Sequence, residues 1–398
     1  MTKNICKICL LLVLLGFHVG MAQVKSSQLQ SAGTKSASTR WPAEKATAWY
    51  AKQPWLFGCN YNPASAINEL EMWQADSFDP AQIDKELGWA EAMGVNTLRV
   101  FLHDLLWQQD PQGFTKRIDQ FLGICQKHKI RPMLVLFDSC WDPFPKLGKQ
   151  REPTPGVHNS GWMQSPGAEA LTDVSQYPRL ETYVKGVVAA FKNDSRILMW
   201  DVWNEPDNTN GSSYGKQEPK NKVDIVNRML PHVFAWVRSV NPSQPLTAGV
   251  WVLRKEADWA KPETWSLTEK ICLENSDVIT FHNYNDAASL ESSIKSLQTF
   301  NRPVICTEFM ARGNNSRFQT HLPVAKKYNV GMVNWGFVVG KTQTHMPWDS
   351  WQQPYVNGRE PAVWFHEILK PDGSPIDPEE VAAIKKATGK SAGKASAQ

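Results

Sequence analysis

From Trp55 onward, short apolar runs alternate with amphipathic stretches. Eight runs are apolar on both faces: 55–61, 95–102, 131–137, 197–203, 245–251, 277–282, 303–308 and 331–335. Strands buried on both sides read this way. Between them, apolar residues recur at helical spacing, as in Ile83, Leu87 and Ala90, then Ile118, Phe121, Leu122 and Cys125, then Leu180, Val184, Val187 and Phe191. Asp79-Pro80 offers an N-cap followed by a first-turn proline, and Gly94 a C-cap. Further helices are expected over 221–240, 287–300, 317–328 and part of 261–273. Strand–helix alternation predicts a parallel sheet with helical crossovers. Eight units predict an α/β chain folded as a (β/α)8 TIM barrel, one catalytic domain with long loops at its C-terminal face. An open doubly wound sheet would need a Gly-rich turn after its first strand, which Gly58-Cys59-Asn60-Tyr61-Asn62-Pro63 does not supply. The Pro/Gly-rich segment 138–176 exceeds an ordinary connection and is expected to be a functional loop.

The ends read differently. Lys3 and Lys7, the apolar run Ile8–Val19 and the small residues Gly20 and Ala22 predict a signal peptide over 1–22, cleaved after Ala22. Residues 23–40 are expected to be a flexible leader, 41–386 the barrel domain and 387–398 a flexible tail. The expected location is therefore secreted or periplasmic, with no membrane span after cleavage.

Composition narrows the function. With 43 Lys+Arg against 39 Asp+Glu, the net charge of +4 over 398 residues gives no general pull toward nucleic acid. Two of the seven Cys fall in the signal, and the five left are scattered and odd in number, which is no disulfide framework. The 18 Trp against 8 Tyr are unusual, and such rings belong in a core or in a binding cleft.

Barrel enzymes place their chemistry where strands end. The fourth run ends Trp203-Asn204-Glu205-Pro206 and the seventh ends Cys306-Thr307-Glu308-Phe309. A carboxylate at such a position is costly unless bonded or used. Arg99 lies inside the second strand and needs a carboxylate partner, with Glu308 the candidate. Asp138 ends the third strand, His282 and Tyr284 the sixth, and Trp335 the eighth. Trp107, Trp141, Trp162, Trp251, Trp348 and Trp351 fall in or beside loops after strands, where flat rings are candidates for lining a binding cleft. Lys341 and Gln343, in the loop after the eighth strand, are candidates for polar contacts to a ligand.

In order, Arg on strand two, Asn-Glu on four, His-x-Tyr on six, Glu on seven and Trp on eight resemble clan A of the glycoside hydrolases, and the cellulase-like family 5 in particular. The resemblance covers about Trp55 to His366. It implies Glu205 as general acid/base and Glu308 as nucleophile. It implies Asn204 on the sugar 2-hydroxyl, Tyr284 on the nucleophile, His282 in the network between the carboxyls, and Trp335 as the floor of the sugar site. At the end of strand three the family often carries His and Asn, where this chain has Asp138-Ser139-Cys140-Trp141.

The expected activity is retaining hydrolysis of β-1,4-linked neutral glycans of mannan or glucan type, by a monomer with no cofactor and no metal. Two readings stand beside it, an exo-acting β-glycosidase of the same clan and a catalytically silent carbohydrate-binding barrel. A metal enzyme would want clustered His and Asp, and no His-Glu-x-x-His occurs. A Schiff-base enzyme would want a strand-end Lys, which none of the eight runs has.

Overall fold

A computed structural model describes residues 39–251 and 258–390. The expected signal, the leader up to residue 38 and the tail from 391 lie outside the described residues. The sheet contains β1 (Phe57–Asn60), β2 (Thr97–Phe101), β3 (Arg131–Val135), β4 (Met199–Asp201), β5 (Leu246–Thr247), β6 (Val250–Trp251), β7 (Ile279–His282), β8 (Val304–Glu308) and β9 (Gly331–Asn334). All are parallel neighbours in the order β5-β4-β3-β2-β1-β9-β8-β7-β6.

The expected fifth strand is split. Its first half pairs with β4 and its second with β7. The two outermost strands of the sheet are thus joined through Ala248-Gly249, which closes the ring as an eight-unit barrel. A Cβ at Gly249 would stand 3.3 Å from Thr280 Oγ1 and 3.5 Å from His282 Nε2, so the kink leaves room for the interior polar groups.

Side chains inside the barrel follow the two-residue strand period. The lowest layer is apolar: Met133, Met199, Ile305 and Val333 pack with Leu56, Leu198, Val278 and Tyr50. The next layer is polar, with Arg99 and Asp201 joined by Thr247 and Thr280, whose hydroxyls are 2.8 Å apart. Above them stand Phe101, Val135 and Trp335, with Trp162 and Cys140 from the loop. Hydrophobic burial therefore holds the base of the barrel, and the polar groups are gathered toward one end.

Helices cover the outside. Pro80–Met93 starts at Asp79, whose carboxylate accepts from Gln82 N at 3.0 Å, and ends at Gly94 with φ +82°. A helix unforeseen from the sequence, Ala43–Tyr50, brings Tyr50 into the lowest layer. The described residues begin inside the expected leader, where Arg40 donates to the carbonyls of Leu273 and Ser276, both at 2.7 Å, at the negative end of helix Leu267–Asn275. The last helix, Pro378–Thr388, reaches into the expected tail, and Thr388 Oγ1 donates to Met93 O. Among the described residues no helix is long and apolar enough to cross a membrane.

Candidate active site

Two backbone irregularities aim the carboxyls. β7 and β8 shift register between Phe281 and His282, so that Phe281 faces Cys306 but His282 faces Glu308. The extra residue turns Glu308 to the side where His282 points; without it Thr307 would stand there. Glu205 lies beyond the end of β4 with φ +42°, a region uncommon for residues other than glycine. Outliers of this kind concentrate at functional sites.

Glu205, His282 and Glu308 offer ligand atoms that all lie within 4.8 Å of one another. His282 Nδ1 is 2.8 Å from Glu205 Oε1 and 3.4 Å from Glu308 Oε2. Burial holds its ring down to about 4, so at neutral pH it is uncharged and Nδ1–H can serve both carboxyls. Arg99 Nη1 donates to Glu308 Oε1 at 2.8 Å, and Tyr284 Oη donates to Oε2 at 2.7 Å. The Arg99 guanidinium lies against this group and supplies its positive charge.

Burial pushes both carboxyls up from the usual range, and the neighbouring Glu205 adds to the rise at Glu308. Their partners then separate them. Glu308 has a cation and a phenol, both favouring its anion. Glu205 has the amide of Asn208 at 2.7 Å and the thiol of Cys140 at 3.2 Å, both weaker than a charge. These partners favour the anion more strongly at Glu308 than at Glu205.

A supporting ring surrounds them. Arg99 spends its remaining donors on Asp201, Asn60 and Asn204. Asn204 accepts that bond at 2.7 Å and gives one amide hydrogen to Asp138 at 2.8 Å. The second hydrogen meets only the Cys140 sulfur at 3.5 Å. Asp138 is buried. It also accepts from Trp162 Nε1 at 2.7 Å and from the Cys140 backbone at 2.9 Å, so it organises the loop instead of presenting its carboxyl to the cleft. Sequence reasoning missed Asn60, Asp201, Cys140 and Asn208. Asp201 alone had a signal, an acid inside a strand.

The aromatic candidates divide. Trp335 is half-buried, edge-on to Phe101 and Trp162 at the mouth. Trp162 is buried and offers no free face. Trp141 and Trp351 stack on each other at 5.5 Å, and Trp348 packs on Tyr284. Trp107 packs at Gly186 on the helix Tyr177–Phe191. Lys341 pairs with Glu71 at 3.0 Å, and both ends of the Gln343 amide are bonded to the 138–176 loop, at Gly156 and Thr154. The structure thus places these two as loop ties, apart from the carboxyl pair. The five described cysteines are free and buried.

Comparison with known proteins points the same way. The family model for Cellulase (glycosyl hydrolase family 5) matches residues 62–353. No curated protein matches the chain. Among solved structures, the chain is similar to an exo-β-1,4-mannosidase from Opitutaceae bacterium strain TAV5 at TM-score 0.54 and 18% identity, over 84% of this chain and 59% of that one. It thus spans under two thirds of that protein's length. It is also similar to the endo-1,4-β-D-mannanase of Thermotoga petrophila RKU-1 at TM-score 0.53 and 14% identity, over 84% and 99%. The GH5_18 protein of Streptomyces cattleya, solved with GlcNAc, matches at TM-score 0.55 and 12% identity, over 84% and 79%. At such identities the likeness is one of fold.

Proposed function

The chain belongs to the cellulase family, glycosyl hydrolase family 5, and is a glycosidase; from that premise we propose that it cleaves β-1,4-linked neutral glycans of mannan or glucan type with retention, using Glu308 as nucleophile and Glu205 as acid/base. The observation that carries this reading is the approach of the two carboxyls to within 4.8 Å. Retaining enzymes hold theirs about 5 Å apart, whereas inverting ones leave roughly 6.5–9.5 Å for a water.

In the first step Glu308 attacks the anomeric carbon while Glu205 protonates the departing oxygen. The glycosyl ester that forms removes the negative charge beside Glu205 and lowers its proton affinity. Glu205 then takes a proton from water as the water attacks the same carbon and frees Glu308. The second amide hydrogen of Asn204, which meets only the Cys140 sulfur at 3.5 Å, can turn to a substrate hydroxyl, and Trp335 serves as the floor.

A neutral substrate is supported by the way the charges near the site are spent. Arg99 is bound to Asp201 and Glu308, and Lys222 to Glu218. The mannan class draws on the likeness to a mannosidase and a mannanase. The expected signal at 1–22 would deliver the enzyme to glycan outside the cytoplasm, and N-terminal sequencing of exported protein starting at Gln23 tests that part. The whole reading is tested by incubation with a 2-deoxy-2-fluoro aryl β-glycoside and peptide mass analysis. The label is expected on Glu308, and a label on another residue overturns the assignment.

One observation favours terminal over internal cleavage. The 138–176 loop is tied to the segment after β9, through Asn159 N to Thr342 O at 3.0 Å, His158 N to Ser350 Oγ at 2.9 Å and Gly156 N to Gln343 Oε1 at 2.7 Å. Asn159 and Thr342 line a small depression beside Trp335 and Asn60. Asn159 is buried at the edge of that depression, with both amide atoms unpartnered. Products of a mannan or glucan hexasaccharide decide the matter. Monosaccharide alone at early times supports terminal cleavage, and mixed oligosaccharides contradict it.

A further inference from the structure

Glu205 is held by two different sets of partners. Oε1 faces His282 Nδ1 at 2.8 Å, while Oε2 takes Asn208 Nδ2 at 2.7 Å and the sulfur of Cys140 at 3.2 Å. Two amides converge on the same sulfur, Asn208 Nδ2 at 3.3 Å and Asn204 Nδ2 at 3.5 Å. Sulfur accepts those weakly and has one proton to give, and the nearest strong acceptor is the carboxyl. Its position is fixed from behind. The Cys140 backbone N–H is bound by Asp138, the acid that also holds Asn204. The carbonyl of Ser139, one residue earlier, accepts from the buried Lys222 ammonium at 2.8 Å and from Asn210 at 2.9 Å.

We propose that Cys140 is a positioning residue for the acid/base: its thiol donates to Glu205 Oε2 and, together with Asn208, orients that carboxyl and favours its charged form. The proposal rests on Glu205 being the acid/base. It assigns a task to the place where the chain departs from the His and Asn of its family. Burial and the neighbouring carboxyls push the thiol well above its ordinary value, so the donor proton stays in place across the working range. The other charged or titratable groups near Glu205 are His282 on β7, Glu308 on β8, Tyr284 after β7, Arg99 on β2, Asp201 on β4, Asp138 after β3, Asp207 just beyond Glu205 and Lys222 on the helix Lys222–Val240. Of these only His282 bonds Glu205, at Oε1, which leaves Oε2 to the thiol and the Asn208 amide.

A hydrogen bond to the carboxylate lowers its proton affinity, so its loss raises it. The alkaline limb of kcat/KM, set by loss of the Glu205 proton, should therefore move up in Cys140→Ala by about half a pH unit. Cys140→Ser, which restores a donor, should return the limb toward wild type. A role in packing alone would move neither limb. The wild-type enzyme gives a second readout that requires no variant: an infrared S–H stretching band that shifts across the midpoint of the alkaline limb as Glu205 ionises. A limb in Cys140→Ala that superimposes on wild type, or the absence of any shifting S–H band, overturns the proposal. Glu205→Gln separates this from the underlying reading, because an alkaline limb that survives there overturns the role of Glu205 itself.

Discussion

Arg99 donates Nη1 to Glu308 Oε1 at 2.8 Å while its opposite edge holds Asp201, and all three side chains are buried. One guanidinium thus balances two carboxylates that burial alone would protonate. Breaking such a pair from one side leaves an uncompensated buried charge, at a cost of about 3–5 kcal/mol. Arg99→Met should lose that much in urea unfolding. Arg99→Lys keeps a charge but cannot reach Asn60, Asn204, Asp201 and Glu308 together. It should remain folded, with kcat/KM lowered by roughly 100-fold or more. Wild-type activity in Arg99→Lys would count against the network.

Tyr284 is the second support of the nucleophile, donating to Oε2 at 2.7 Å. Its hydroxyl favours the anion, so Tyr284→Phe should raise the proton affinity of Glu308. Since the reaction needs Glu308 ionised, the acidic limb of kcat/KM should move to higher pH, by about one unit. A pH–rate profile on an aryl β-glycoside measures it. A limb that moves down, or stays, contradicts the role.

The barrel reads well from the sequence because it rests on repetition: eight doubly apolar runs, each followed by a helix or a loop. One strand interior then brings out Arg99, and strand ends bring out Glu205, Tyr284 and Glu308. The structure places these within one hydrogen-bonded network. Other features needed three-dimensional contact. The break in the fifth strand depends on how close Gly249 comes to Thr280 and His282. Asn60, Cys140 and Asn208 are ordinary residues until the barrel sets them beside Arg99 and Glu205. Lys341 looked free for substrate because Glu71, 270 residues earlier, is invisible to local pattern. Trp162 looked like a cleft residue because loop position does not reveal that its face is buried against Phe101 and Trp335.

Stability should carry a pH signature from Glu367. This fully buried carboxyl accepts from Thr344 Oγ1, has its other oxygen unpartnered, and is pushed up to about 7 by burial. The folded state therefore holds its proton more tightly than the unfolded chain does. Its contribution is fully present below the unfolded value and is lost as pH rises through about 7. Glu367→Gln, which has no proton to lose, should match wild type near pH 4. Above pH 7 it should be the more stable protein, by an amount on the order of 3 kcal/mol. Thermal unfolding of both proteins across this range gives the difference, and a constant gap would contradict the assignment.

Glu205 and Glu308 should fail in different ways. Glu308→Ala removes the nucleophile and should abolish turnover. Glu205→Ala should still be glycosylated by a substrate with an activated aryl leaving group, because that group departs without a proton. Azide should then restore turnover and yield a β-glycosyl azide, since it needs no general base. Chromatography of the products reads both variants, and a Glu308→Ala protein with full activity would sink the assignment.

The central claim is that two carboxyls held within 4.8 Å carry out a double displacement. Proton NMR of the anomeric region, recorded in the first minutes of hydrolysis of an aryl β-glycoside that the enzyme cleaves, tests it most directly. The account predicts that the β-anomer of the free sugar appears first and that the α-anomer grows in only by mutarotation. An α-anomer formed first would mean single displacement and would contradict the account.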